Sequence, residues 1–251
     1  MRLLASLTVL AGLAMPALAT GDDVEPMRVE TKDKFVLKGD FWKPRKKGRA
    51  PAALLIHGAT RDRSDYAAIA ENLNKRGFAV LSVDLRGHGQ SATEEFTFSK
   101  LDEEKQSIAW TLAIRDIEAC TAWLRKREDV HMSNLSLVAQ GSASIIAARY
   151  AERDENVRCV ALIAPTGDKL AKDLPRTLKK IAGMPTLVVT EKNGREDAVR
   201  LVEASFQEEE VELDELVEIS VMRADDVDLM RDKRLPATVS GFLRKHAVSD
   251  D

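Results

Sequence analysis

The chain has 251 residues, 31% charged and 44% hydrophobic, with 13 Gly, 8 Pro and 2 Cys, a mix that excludes collagen-like, disulfide-scaffold and disordered classes. Its 38 basic and 41 acidic residues give a net charge of -3, so bulk electrostatics makes no case for a nucleic-acid partner. The length fits one large α/β domain or two small ones, and no repeat of solenoid or propeller period is present.

The first residues read as separate from the fold. Met1-Arg2 gives a positive start, residues 3–14 are apolar, and Ala17-Leu18-Ala19 after Pro16 has the small-x-small pattern that signal peptidase cuts. The apolar run is too short to span a bilayer as a stable helix. Residues 1–19 are therefore expected to be a signal peptide cleaved near Ala19. That leaves 20–251 as a single domain, exported to a periplasm or outside the cell, with no transmembrane segment. In an oxidising compartment Cys120 and Cys159 matter; two buried thiols are the expectation, a disulfide the alternative.

Along the remaining chain the elements alternate. Residues 27–31 and 35–42 read as strands joined by a polar turn, and the continuous apolar run 52–57 reads as a strand buried on both faces. Residues 65–76 show helical spacing and end at Gly77, and 79–84 is the next strand. After a Gly-rich loop, 107–127 is predicted as one long amphipathic helix. Strand 135–139, helix 142–152 and strand 157–164 follow, then helix 170–181, strand 186–190, helix 195–206, strand 216–222 and a closing helix 236–246. This order predicts a doubly wound, mostly parallel eight-stranded sheet with an antiparallel start, flanked by helices and without a separate lid domain.

Ligands of such sheets sit at the carboxyl ends of the strands. There the chain resembles the α/β-hydrolase fold family of serine hydrolases and esterases. His57-Gly58-Ala59 is similar to the His-Gly turn after the third strand. Asp84-Leu85-Arg86-Gly87-His88-Gly89-Gln90-Ser91 is similar to the Asp-x-Arg-Gly-x-Gly-x-Ser loop after the fourth. Residues 137–143 fall where the family's nucleophile elbow belongs, and the likeness covers residues 25–246.

The elbow needs small residues two before and two after the nucleophile, because strand and helix backbones meet closely there. Ala139 and Ala143 meet that need, which puts Gly141, with no side chain to attack, at the nucleophile position. The other register makes Ser142 the nucleophile, with Gln140 and Ser144 at the small positions. In the first register Ser142 opens the next helix as a cap. The family's His position falls on Asp225 and its acid position on Asn193, with Glu196 and Asp197 nearby. Of the four histidines, His57 and His88 belong to the turn motifs, and His131 and His246 lie away from the expected site. An acyl-transfer serine needs an imidazole within reach, and none stands in the family's place.

The resemblance thus implies a degenerate triad: a pseudo-hydrolase that binds a small carbonyl- or carboxylate-containing ligand or an envelope protein partner, with no cofactor and no metal. The alternative is a serine hydrolase of esters or small amides using Ser142 with His57 or His88 as base. Oxyanion-hole donors are expected from the Ala59 and Ser142 backbone N–H groups, either open to a ligand or filled by water or neighbouring side chains. Arg86 beside Asp84 reads as a loop-fixing ion pair. Asp225, Asp226 and Asp228 read as an exposed acidic loop rather than a cation site, and Arg45-Lys46-Lys47 as a solvated hairpin. The strand ends near Ala59, Gly141, Thr166 and Asp225 are expected to form a shallow open cleft.

Overall fold

The computed structural model describes residues 23–166, 169–206, 216–222 and 228–248. The signal-peptide expectation and Asp225 lie outside them. Eight strands form one sheet: β1 (Val24–Glu30), β2 (Val36–Trp42), β3 (Ala50–Ile56), β4 (Ala79–Asp84), β5 (Val130–Gln140), β6 (Val157–Ile163), β7 (Thr186–Glu191) and β8 (Val217–Met222). Their order is β1-β2-β4-β3-β5-β6-β7-β8. The pairs β1–β2 and β2–β4 are antiparallel and the rest parallel. This is the mostly parallel sheet with an antiparallel start that the sequence pattern predicts.

The strand period of two sorts side chains into two cores. Leu54 and Ile56 of β3 face one side, packed with Ile117, Ile145 and Val202. Ala53 and Leu55 face the other, packed with Ile69, Leu73, Val239 and Phe242. Helices α1 (Ala67–Lys75) and α7 (Leu235–Ala247) therefore cover the second face. The first is covered by α2 (Glu103–Leu112), α3 (Ile114–Arg125), α4 (Ser144–Ala151), α5 (Leu174–Lys179) and α6 (Arg195–Phe206).

Several boundaries differ from the sequence reading. The long helix predicted at 107–127 is two helices, broken at Ala113, whose N–H bonds back three residues to the Trp110 carbonyl (3.2 Å). The first of them starts earlier, at Glu103, because Asp102 caps it by accepting from the Lys105 N–H (2.9 Å) and Glu103 and Glu104 suit its positive end. That charged turn carries no apolar stripe, so hydrophobic periodicity misses it. The helix predicted at 65–76 begins with a 3-10 turn, Arg63–Tyr66, capped by Asp62. The helix at 142–152 likewise begins with a 3-10 turn, Gly141–Ala143. The helix read over 170–181 is confined to Leu174–Lys179.

Candidate functional site

The turn after β3 carries His57, Gly58 and Ala59. His57 is fully buried; its Nε2 accepts the Leu85 N–H (3.0 Å), which leaves Nδ1 to donate to the Gly58 carbonyl (2.8 Å). Burial, seconded by His88, depresses its pKa to about 3, so the ring is neutral and ties the turn after β3 to the turn after β4. His88 is also buried, with Nδ1 against the Arg86 carbonyl (2.9 Å) and Nε2 against the Ala59 carbonyl (2.8 Å). Neither imidazole has a nitrogen turned toward a hydroxyl.

The turn after β4 is held by charges. Buried Asp84 accepts from the backbone N–H groups of Arg63 (2.9 Å) and Gln90 (2.8 Å) and pairs with the Arg63 guanidinium, which also reaches Asp40 (2.8 Å). Burial raises the Asp84 pKa, opposed by those hydrogen bonds. Gly87 and Gly89 have left-handed backbone (φ +73° and +45°), and a Cβ at 89 would collide with the Asp84 carboxylate.

Arg86 does not pair with Asp84, contrary to the sequence reading. The turn closed by the His88 N–H on the Leu85 carbonyl (3.0 Å) carries it toward α3. There it lies buried over the Phe35 ring, gripping Asp116 (2.7 and 3.0 Å) and Asp33 (2.8 and 3.2 Å). Burial opposes ionisation of Asp33, yet the hydrogen bonds from Arg86 and Thr31 hold its pKa well below the usual range.

The turn after β5 runs through Gln140, Gly141 and Ser142. Gly141 has φ +58°, and nothing stands within 4 Å of where its Cβ would be. Among the described non-glycine residues only Lys34 and Ala164 share a left-handed backbone, so Ser142 does not. Ala164 closes β6 at this same end of the sheet, a strained position that its sequence does not advertise. Ser142 is 4% exposed; its Oγ accepts the Ala59 N–H (3.3 Å) and its carbonyl accepts the Trp110 indole N–H (3.3 Å). It makes no capping bond to α4, contrary to expectation, because its hydroxyl is turned to the neighbouring turn. The Gly58 N–H is taken by the Gln140 Oε1 (3.1 Å). A Cβ at 58 would stand 2.8 Å from that oxygen, so glycine is needed there for the two turns to approach.

Around this centre, Ala59, Gly141 and Thr166 are half-buried, and α5 packs against α4 and α6. A groove of about 610 Å³ lies between Ser107, Glu103 and Glu104 of α2 and Lys169, Leu170 and Lys172, bridged by Lys169–Glu103 (2.6 Å). Asn193 is exposed in the 3-10 turn after β7. Asp228 is not a free member of an acidic loop. It pairs with Arg61 (2.6 Å), which also holds Asp65 (3.1 Å), and no metal-holding group of His, Cys, Asp or Glu occurs among the described residues.

Comparison with known proteins gives the chain its relatives. The family model described as serine aminopeptidase, S33, matches residues 49–228. Two uncharacterized proteins of Mycobacterium tuberculosis are 28% identical over 138 residues; the match takes in 55% of this chain and 43% of theirs, so it spans less than half their length. An esterase of Pyrococcus furiosus superposes with a TM-score of 0.69 at 16% identity, over 93% of this chain and 96% of its own. A dienelactone hydrolase from Anabaena variabilis does so at 0.65 and 16% identity, over 90% and 100%. At these identities the superpositions show a shared fold.

Proposed function

This chain belongs to the serine aminopeptidase S33 family of α/β-hydrolase-fold proteins, and from that premise we propose that it is a member without hydrolytic activity. The observation that carries this reading is the backbone at Gly141. The strained left-handed residue that presents a nucleophile at such an elbow is here a glycine, with open space where a side chain would stand. Asn193 and Asp225 take the remaining triad positions in this reading. The two nearby imidazoles are engaged with backbone groups, which also weighs against the second reading, a serine hydrolase using Ser142 with His57 or His88.

As a non-catalytic module the protein binds a small carbonyl- or carboxylate-containing ligand, or an envelope protein partner, at the carboxyl end of the sheet. It does so outside the cytoplasm, after loss of residues 1–19. Protein purified from its native host tests both parts. Its mass should match a chain starting near Thr20, and a fluorophosphonate probe should leave it unlabelled, with no p-nitrophenyl ester turnover above a heat-unfolded control. Labelling that disappears in Ser142→Ala would instead establish the serine-hydrolase reading.

A further inference from the structure

A cradle that stabilises a ligand oxyanion needs backbone N–H groups left without an internal acceptor. Of the two donors expected here, the Ala59 and Ser142 N–H groups, the Ala59 N–H is taken, and so is the N–H of the neighbouring Gly58. Ala59 N–H meets the Ser142 hydroxyl at 3.3 Å and Gly58 N–H meets the Gln140 amide oxygen at 3.1 Å. Both acceptors come from the turn after β5, one on each side of Gly141. We propose that the Ser142 and Gln140 side chains are internal ligands of the Ala59 and Gly58 N–H groups, so that a carboxylate from solution reaches the Ala59 N–H only by displacing the Ser142 hydroxyl. This inference rests on reading the two turns as a former catalytic cradle.

The two occupants are unequal. Gln140 fits tightly against Gly58, where even a methyl group would crowd its amide, so it acts as a fixed strut. Ser142 makes a bond at the long end of the hydrogen-bonding range, and a hydroxyl leaves by rotation about one side-chain bond without moving the backbone. Its peptide stays in place meanwhile, because the Trp110 indole holds the Ser142 carbonyl (3.3 Å). The Ser142 hydroxyl thus sets the threshold for ligand entry, and the side chain at position 142 determines specificity by yielding its place to the ligand. When the carboxylate leaves, the half-buried Ala59 N–H takes the hydroxyl back as its acceptor.

Amide NMR of the purified ¹⁵N-labelled protein tests this with acetate as the probe. In the wild type, the Ala59 amide should be protected from hydrogen exchange and should hardly shift as acetate is added. In Ser142→Ala it should lose protection and bind acetate about tenfold more tightly, the factor that one displaced hydrogen bond represents. Ser142→Thr, which keeps the hydroxyl, should behave as the wild type. Equal acetate affinity in wild type and Ser142→Ala, or no binding at Ala59 in either, overturns the proposal. So does an unprotected Ala59 amide in the wild type, a measurement that needs no variant. None of these outcomes bears on ester turnover or covalent labelling, which decide the reading of the cradle as non-catalytic.

Discussion

At residue 141, glycine leaves no attacking oxygen in the proposed reading, and it relaxes a left-handed backbone that most other residues would strain. Gly141→Ser has room for its side chain but adopts φ +58° against its preference. It should lower the unfolding free energy by about 1 kcal/mol in denaturant titrations and give no p-nitrophenyl acetate turnover, since the imidazoles nearby are engaged. His57 supplies a pH dependence. Its folded pKa of about 3 lies below the unfolded value of about 6.5, so the unfolded chain binds the extra proton between them. The neutral ring's contribution is complete above about pH 6.5 and is lost as pH falls toward the folded pKa, at up to about 1.4 kcal/mol per pH unit. Denaturation midpoints measured between about pH 6.5 and 5 should fall in the wild type and flatten in His57→Gln; an identical slope in both removes the assignment. The turn motifs around His57 and Asp84 were legible as patterns of residues. The Ser142–Ala59 bond was not, because it joins residues 83 apart through a side-chain rotamer that no spacing encodes.

Among the elements, the β1–β2 turn, the turn after β4 and α3 meet at one buried guanidinium. Arg86 contacts Asp33 of the first, belongs to the second, and grips Asp116 of the third. Arg86→Met keeps the apolar stem but leaves Asp116, which has no exposed surface, as a charge without its partner. The expected loss is about 3–5 kcal/mol, read by urea unfolding, with a large part recovered in the double variant Arg86→Met/Asp116→Leu. No recovery would mean that the arginine matters through packing instead. Strand positions were readable because buried parallel strands are continuous apolar runs, as in 52–57. Helix ends were less so. The break at Ala113 follows from α2 turning Trp110 toward Ser142 while α3 lies on the sheet, a tertiary demand that the shared apolar stripe hides.

For the whole molecule, the sheet acts as a partition. Cys120 packs in the core on one face and Cys159 in the core on the other, both free and buried, as the preferred sequence reading had them. Burial raises both thiol pKa values, Cys159 to about 12, so the native protein should not react with a disulfide reagent such as DTNB. In guanidinium both thiols should react, at the rate of global unfolding; fast reaction of one thiol in the native state would show a local opening. No helix among the described residues is long and apolar enough to cross a membrane. The strand order also has a temporal meaning. From β3 outward, β5, β6, β7 and β8 lie side by side in the order in which they occur in the chain. A chain emerging from its N-terminus can therefore lay each new strand on the last open edge, with no strand threading between two already joined. The antiparallel β1–β2 pair and β4 complete the other flank by residue 84, before any residue of the β5 turn exists. The two turns that meet at Gly58 and Gln140 are thus made at different moments, and their meeting marks the point at which the early half of the molecule accepts the late one.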